Sequence, residues 1–511
     1  MPQDVRERKG SFFTPQIWVE LSQKYLTDVL GENWQDEYTI WDCAAGTGNL
    51  LTGLTNKYNI WASTLDKQDV EVMKDRIKNG ANLLEDHVFQ FDFLNDDFTK
   101  LPKALQAIIN DPEKRKKLVV YINPPYAEVS SVGENGKAGV NQSKMHDMYA
   151  NKIGTAGREI YIMFLARIYD QLEGCTIAEF SKLKVLQGSA FESFRAFFKT
   201  ELLKCFVVPA YTFDNVTGNF PISFKIWDTA NKIVFKNTLA DVYDEKSVFI
   251  GQKELSLTMK GNFINKWISK YKVLNEKGFI GFLAGTNGND FQQNGIVYIL
   301  NTREQMANPR GIWINKDNLT QAYIYFAIRK SIDQTWLNDR DQFLYPNDGW
   351  QNDTKFQNDC IAYTLLSNNI QSQFGINHWL PFTEQEVNAR TKFDCNFMTQ
   401  FISGKHKQVK ETTLFEMQEQ RTTPLMFSAQ AQVVFNAGLV LWQYYHQQPN
   451  CNVNASLYDI REHFQGRNAS GKMNNKSADA TYMDLIKRLR EQLKMLQKNI
   501  EPKIFEYGFL K

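Results

Sequence analysis

The residues with the clearest capacity for chemistry are Asn123-Pro124-Pro125-Tyr126, which follow a short apolar run. Two successive prolines restrict the backbone and remove two amide donors, so the flanking asparagine and tyrosine have little freedom. The side-chain oxygen of Asn123 and the carbonyl oxygen of Pro124 can both accept a hydrogen bond from one NH2 group. Accepting both protons exposes the nitrogen lone pair, while Tyr126 can stack on the ring that carries the amine. The motif therefore predicts chemistry on an amino group of a planar substrate.

A second candidate site is the glycine-rich segment Asp42-Cys43-Ala44-Ala45-Gly46-Thr47-Gly48. Its small residues allow a tight turn and a close approach of the backbone to a ligand. Such a turn could bind a dinucleotide, bind another nucleotide-like cofactor, or serve only as a turn. It lacks both the G-x-G-x-x-G fingerprint and the Gly-Lys-Ser/Thr of a phosphate loop, which favours a cofactor without phosphates. The candidate contacts are Asp42, Ala44, Gly46 and Gly48.

Two further acidic positions follow apolar runs. Asp66 is placed to accept hydrogen bonds from ribose hydroxyls, with a solvated acid at a strand end as the alternative. Asp92-Phe93 offers an acceptor for an adenine amine and a ring to lie against the adenine, with loop and core as the alternative. Each of these signals is weak by itself.

The apolar patterning predicts the elements that would bring these residues together. Strands alternating with helices predict an α/β fold with a parallel, doubly wound sheet. Ligands bind at the carboxyl ends of such strands, and Asp42, Asp66, Asp92 and Asn123 all fall at predicted ends. The predicted strands are 39–42, 60–65, 88–91, 118–122, 204–208 and 222–227, and the predicted helices are 16–30, 50–58, 68–79 and 159–171.

Taken together, the motifs resemble those of N6-adenine DNA methyltransferases of the gamma arrangement, in which the cofactor motifs precede the catalytic one. The family's Phe-x-Thr-Pro start is matched by Gly10-Ser11-Phe12-Phe13-Thr14-Pro15. The resemblance covers about residues 9–230 and implies a Rossmann-like domain that uses S-adenosylmethionine. It implies that Phe13 and Thr14 wrap the methionine part of the cofactor. It assigns the glycine-rich turn to the cofactor, Asp66 to its ribose, Asp92-Phe93 to its adenine, and Asn123–Tyr126 to catalysis.

A target adenine inside a duplex must be turned out of the base stack and held between aromatic faces. Tyr126 is expected to supply one face, and a later aromatic of the family the other; Phe213 is the first candidate and Phe220 the second. Residues 128–158 are polar and glycine-rich, which predicts a long mobile loop closing over the base. Its basic residues either contact phosphates or are simply solvated: Lys137, Lys144, Lys152 and Arg158.

At 511 residues the chain predicts two or three domains. We expect a methyltransferase domain over 1–235 and a mixed α+β DNA target-recognition domain over 236–465. A polar linker then leads into a C-terminal helix within 466–511. Apolar residues of this helix recur in a heptad pattern, which predicts either packing on its own domain or a coiled-coil contact with a partner. They are Tyr482, Ile486, Leu489, Leu493, Leu496 and Ile500.

Composition excludes several classes of protein. With 43% hydrophobic and 23% charged residues, the chain can build large cores, and a net charge of +2 neither demands nor excludes a nucleic-acid partner. Six scattered cysteines form no C-x-x-C pair, so neither a metal site nor a disulfide framework is expected. No signal peptide or membrane-spanning stretch is evident, so the cytoplasm is the expected compartment. No nuclease or Walker signature is convincing.

These observations predict a site-specific adenine methyltransferase acting on double-stranded DNA, within a restriction-modification or phage-defence system. One alternative is a modification subunit that methylates only with a partner specificity chain; a separate restriction subunit is also compatible. Enzymes that methylate protein glutamine, cytosine N4 or RNA remain further alternatives, because each presents an NH2 group to a similar motif.

Overall fold

The computed structural model describes residues 13–126, 143–214, 216, 218–257, 261–273, 278–307, 310–405, 408–409, 419–420 and 423–511. The chain divides into two compact units. The first contains residues up to 259 and 335–340, and the second contains 260–334 and 341–511. The boundary lies later than the predicted 235 because two further strands, at 237–243 and 249–256, continue the first unit's sheet.

The first unit is built on a nine-stranded sheet among the described residues, in the order β3-β2-β1-β4-β5-β7-β6-β8-β9. The five strands from β3 to β5 pair in parallel, as predicted, but β7 is antiparallel to both of its neighbours. The expectation of a wholly parallel sheet was therefore wrong, because the short β6–β7 connection contains no crossover helix. The strands are β1 (Thr39–Asp42), β2 (Ile60–Thr64), β3 (Val88–Gln90), β4 (Leu118–Ile122), β5 (Thr176–Lys182), β6 (Glu201–Pro209), β7 (Pro221–Asp228), β8 (Asn237–Tyr243) and β9 (Phe249–Ser256).

The helices of this unit include the predicted ones at 16–30, 68–79 and 159–171, with small differences at their ends. They are α1 (Gln16–Leu30), α2 (Trp34–Glu37), α3 (Lys67–Lys78), α4 (Lys103–Ile109), α5 (Pro112–Arg115), α6 (Lys144–Ile153), α7 (Ile160–Gln171), α8 (Lys184–Gln187) and α9 (Glu192–Phe197).

Helices cover both faces of the parallel strands, so the fold is α/β. On one face, Ser22 of α1 is hydrogen-bonded to the hydroxyl of Tyr121 in β4 at 2.5 Å. On the other, Phe164 of α7 stacks on Phe93, which packs edge-on against Trp41 of β1. In the parallel pairing of β1 with β4, Trp41 lies opposite Val120, the residue before Tyr121. The two side chains therefore point to opposite faces of the sheet.

Two segments differ from the predicted elements. The predicted helix at 50–58 is replaced by two 3-10 turns, Asn49–Leu51 and Lys57–Asn59, because Gly53 between them adopts φ +89°. The predicted mobile loop at 128–158 is wrong for its second half. Residues 143–153 form α6 with its Ser143 cap, and Gly154–Arg158 is a 3-10 helix. Residues 128–142, including Lys137, lie outside the described part of the chain.

The second unit is α+β. Its three-stranded antiparallel sheet has the order β11-β10-β12, with β10 (Gly281–Ala284), β11 (Tyr298–Leu300) and β12 (Gly311–Ile314). A short pair, β13 (Gln408–Val409) and β14 (Glu419–Gln420), lies apart from it. The helices are α10 (Ile264–Ser269), α11 (Leu319–Lys330), α12 (Thr354–Ser367), α13 (Glu384–Val387), α14 (Phe397–Ile402), α15 (Ala429–His446), α16 (Leu457–Gln465) and α17 (Ala480–Glu506).

The heptad stripe of α17 is covered by its own unit. All six of its predicted members are buried within the second core, together with residues of α11, α12 and α15. Of the two alternatives, packing on its own domain is the one observed, so this stripe is not a free coiled-coil surface. The preceding polar segment is not an extended linker either. Its chain turns back on itself through an Arg467–Met473 bridge and an Asn468 amide hydrogen bond to the Lys472 carbonyl.

Candidate functional site

The predicted site residues share one edge of the sheet. Asp42 ends β1, Asp66 follows β2 at the N-cap position of α3, Asp92 follows β3, and Asn123 follows β4. These four strands are adjacent and parallel, so their carboxyl ends meet at a common edge. The local strand pattern in the sequence was sufficient to predict this grouping.

The side chain of Asn123 is held from two directions. Its amide nitrogen donates to Thr14 Oγ1 at 2.9 Å, and its amide oxygen accepts from the Tyr126 hydroxyl at 2.5 Å. Thr14 is buried, whereas Asn123 is half-buried, as is Phe13 beside Thr14. The contact joins the N-terminal segment to the predicted catalytic motif.

Tyr126 is packed more deeply than a stacking surface requires. Its side chain is 6% exposed, and its ring meets Tyr161 edge-on, with centroids 6.4 Å apart. Burial raises the pKa of its hydroxyl well above the ordinary value, so the group is a neutral donor to Asn123. Within the motif Pro124 is buried and Pro125 half-buried. Stacking of Tyr126 on a base stays a prediction, and it would require the ring to move.

The glycine-rich turn after β1 has the geometry that a close-fitting ligand needs. Gly46 and Gly48 adopt φ +53° and +81°, and a Cβ on Gly46 would meet nothing within 4 Å. Asp42 is 1% exposed and accepts from the Ala44 amide at 3.0 Å. Burial raises the pKa of Asp42 to about 7, and the Ala44 hydrogen bond acts weakly in the opposite direction. The turn therefore places open space beside its backbone and one buried carboxyl at the same edge of the sheet.

The two other acidic positions differ in their surroundings. Asp66 is half-buried at the start of α3. The carboxylate of Asp92 accepts from the Leu94 amide at 3.0 Å and the Asn95 side chain at 2.8 Å. Phe93 is 2% exposed, so its ring offers no open face to an adenine in this structure. Its contact with a cofactor stays a prediction.

The two candidate aromatics for the second face of a base are unequal in exposure. Phe213 is 2% exposed and packs edge-on against Phe180. Phe220 is half-buried, and its carbonyl accepts from the Ala210 amide at 2.9 Å. Phe220 is thus the more accessible of the two, although the sequence ranked it second. The roles of both stay predictions.

Two buried charge clusters near the motif were missed by sequence reasoning. Glu179 of β5 lies level with Ile122 and pairs with Lys225 of β7 at 3.1 Å, and both side chains are fully buried. Glu159 lies between Lys182, at 3.3 Å, and Lys184, while Lys182 also donates to the Tyr126 carbonyl at 3.3 Å. For the first pair the available signal was a charged residue inside each mostly apolar strand, Glu179 in TIAEFSK and Lys225 in PISFKIWD.

The predicted phosphate contacts are exposed where they are described. Lys144, Lys152 and Arg158 lie at the surface of α6 and of the 3-10 helix that follows it. Within the described part of the chain, no helix is long and apolar enough to cross a bilayer. The same residues contain no group of three His, Cys, Asp or Glu side chains arranged to hold a metal ion.

No family model and no curated protein matches the chain. Among solved structures it is similar to the methyltransferase subunit of a type I restriction-modification system from Streptococcus thermophilus, at 19% identity and TM-score 0.32, over 49% of this chain and 51% of that one. A modification subunit described as that of a type I restriction enzyme from Vibrio vulnificus matches at 14% identity and TM-score 0.32, over 54% and 59%. A protein described as a class I S-adenosylmethionine-dependent methyltransferase from Listeria monocytogenes matches at 15% identity and TM-score 0.31, over 45% and 65%. The chain thus spans between half and two thirds of these proteins.

Proposed function

We propose that this protein is a site-specific DNA methyltransferase that transfers a methyl group from S-adenosylmethionine to N6 of an adenine turned out of the duplex. The observation that carries the proposal is the fixed amide of Asn123 at the carboxyl end of β4, held between Thr14 and Tyr126. An amide held in this way presents a preorganised acceptor to an incoming NH2 group, which lowers the cost of orienting the reactants.

The residues at the sheet edge fit this cofactor. S-adenosylmethionine supplies a methyl group already activated on a sulfonium, so no strong base is required. Asp66 and Asp92 would provide acceptors for ribose hydroxyls and an adenine amine, and Asp42 would hold the turn beside the cofactor through the Ala44 amide. The open space beside Gly46 allows close approach to the backbone, and the turn carries no phosphate-binding lysine.

The chain's own contribution is positioning. Asn123 Oδ1 and the Pro124 carbonyl accept the two amine protons, which directs the nitrogen lone pair toward the methyl carbon. Bound S-adenosylmethionine would supply the methyl group to this nitrogen, and the electron pair of the broken carbon–sulfur bond would stay on sulfur. The methylated nitrogen then loses one proton to water. Thr14 accepts a hydrogen bond from the side-chain NH2 group of Asn123, and this contact keeps the Asn123 oxygen facing the substrate amine.

DNA is the favoured substrate for two reasons. The resemblance over residues 9–230 is to DNA-modifying enzymes, and the second compact unit is large enough to read a recognition sequence. A role in a restriction-modification or phage-defence system is part of the same proposal, as is help from a specificity subunit.

The test is transfer of a tritiated methyl group to DNA, followed by digestion and mass spectrometry of the nucleosides. N6-methyl-2′-deoxyadenosine is the expected product, and Asn123→Ala should abolish it while S-adenosylmethionine still binds in calorimetry. Asn79→Ala, an exposed asparagine at the end of α3, is the matched control and should remain active. N4-methylcytosine, or undiminished activity of Asn123→Ala, would overturn the proposal.

A further inference from the structure

Helix α7 contacts the predicted cofactor loop near its C-terminal end through a buried arginine. Arg167 donates from Nη2 to the Asp96 carbonyl at 2.9 Å, and Nη1 donates to the Phe93 carbonyl. Its Nε donates to Gln171 Oε1 at 2.9 Å, one turn along the same helix. The guanidinium therefore ties α7 to both ends of the turn that follows Asp92.

The surroundings of Arg167 make this attachment stiff. The side chain is 2% exposed, and the guanidinium carbon lies 4.1 Å from the centroid of the Phe98 ring and 5.0 Å from that of Phe93. Burial lowers the pKa of Arg167. A buried guanidinium is costly unless its donors are taken. Movement of the 92–97 loop would remove the Phe93 and Asp96 carbonyls from the Arg167 guanidinium. The loop and the helix are therefore expected to move together.

The N-terminal end of α7 contacts the catalytic motif. Glu159 directly precedes the helix, is 5% exposed and pairs with Lys182 at 3.3 Å. Lys182 in turn donates to the Tyr126 carbonyl at 3.3 Å, and the Tyr161 ring packs edge-on against the Tyr126 ring. One short helix is thus joined to the adenine loop through Arg167 and to Asn123–Tyr126 through Lys182 and Tyr161.

We propose that α7 is the positioning element that sets the catalytic motif in register with the cofactor's adenine loop. In this assignment Arg167 positions the loop at 92–97, and Lys182 positions the backbone of the catalytic motif. Neither residue needs to touch a reacting atom. The inference rests on the proposed function, since it assigns the two ends of α7 to the two partners of that reaction.

The assignment predicts a split between binding and turnover. Arg167→Met should weaken binding of S-adenosylmethionine about tenfold, as expected for losing hydrogen bonds from a charged donor, and leave kcat at saturating cofactor within about twofold. Methylthioadenosine, which lacks the amino-acid part, should lose affinity by the same factor, because the loop faces only the adenosine part. Lys182→Met should leave both affinities unchanged and lower kcat about tenfold.

Two matched controls separate positioning from general loss of structure. Arg195 is also a buried arginine that donates to two carbonyls, those of Val185 and Gly188, so Arg195→Met should lower stability without lowering cofactor affinity. Lys199 is exposed, and Lys199→Met should match the wild type. Thermal unfolding by circular dichroism establishes that each variant is folded. If Arg167→Met does not fold, Arg167→Lys, which keeps the charge but not the fork of donors, should show a smaller loss of affinity.

The outcomes distinguish the two proposals. Two results would overturn the role of α7 and leave the proposed function standing. One is that Arg167→Met and Lys182→Met change affinity and kcat equally. The other is unchanged affinity in Arg167→Met or in Arg167→Lys. A wild-type protein that binds neither S-adenosylmethionine nor methylthioadenosine would overturn the proposed function and the inference with it.

Discussion

The buried carboxyl of Asp42 should make this protein less stable as the pH rises. The group is 1% exposed, and burial raises its pKa from 3.8 to about 7. Between these two values the folded state keeps a proton that the unfolded state has released. The free energy of unfolding therefore falls with increasing pH across that window, and the stabilisation is complete only below the unfolded value.

The size of the effect follows from the same two values. A rise from 3.8 to about 7 is about three pH units, and each unit corresponds to about 1.4 kcal/mol. Ionised Asp42 thus costs about 4 kcal/mol of unfolding free energy above about pH 7. Asp42→Asn keeps an oxygen for the Ala44 amide but cannot ionise, so it should become increasingly more stable than the wild type as the pH rises.

The assay is urea unfolding of the full chain, wild type and Asp42→Asn, at about pH 5 and about pH 8. The free-energy difference between the two proteins should grow by about 2 to 3 kcal/mol between these conditions. Comparing the proteins at each pH removes the contribution of every other titrating group. Asp147→Asn, at an exposed position on α6, is the control and should follow the wild type. Parallel pH profiles for Asp42→Asn and the wild type would refute the reasoning.

Three other predictions concern the site. Asp66→Ala should weaken binding of S-adenosylmethionine about tenfold through loss of an acceptor for the ribose; unchanged affinity in calorimetry would count against that role. Thr14→Val removes the acceptor that orients the Asn123 amide, so kcat should fall about tenfold or more, while Thr99→Val, at an exposed position, should not change it in the same methyl-transfer assay. The purified chain should methylate DNA alone; modification seen only after a second subunit is added would favour the partner-dependent alternative.

Local sequence was enough to predict the parallel part of the sheet and the position of the candidate site. Strand length, apolar patterning and the residues at strand ends depend on neighbouring positions in the sequence. The carboxyl ends of adjacent parallel strands then lie at one edge of the sheet. Asp42, Asp66, Asp92 and Asn123 were grouped correctly for this reason. The exposure of Phe213 relative to Phe220 could not be predicted, because it depends on packing against residues such as Phe180 that are remote in sequence.

The sequence by itself predicted which groups the candidate site would contain: an amide beside two fixed prolines, acids at strand ends, and a tight turn of small residues. Only the tertiary structure decided what holds them. The contact between Thr14 and Asn123 spans 109 positions, and Arg167 reaches a loop more than 70 positions earlier. The heptad pattern of α17 was equally compatible with a contact to a partner, and only the structure shows that its own unit covers the stripe. Contacts between distant segments depend on how whole elements pack, and the periodicity of one segment does not contain that information.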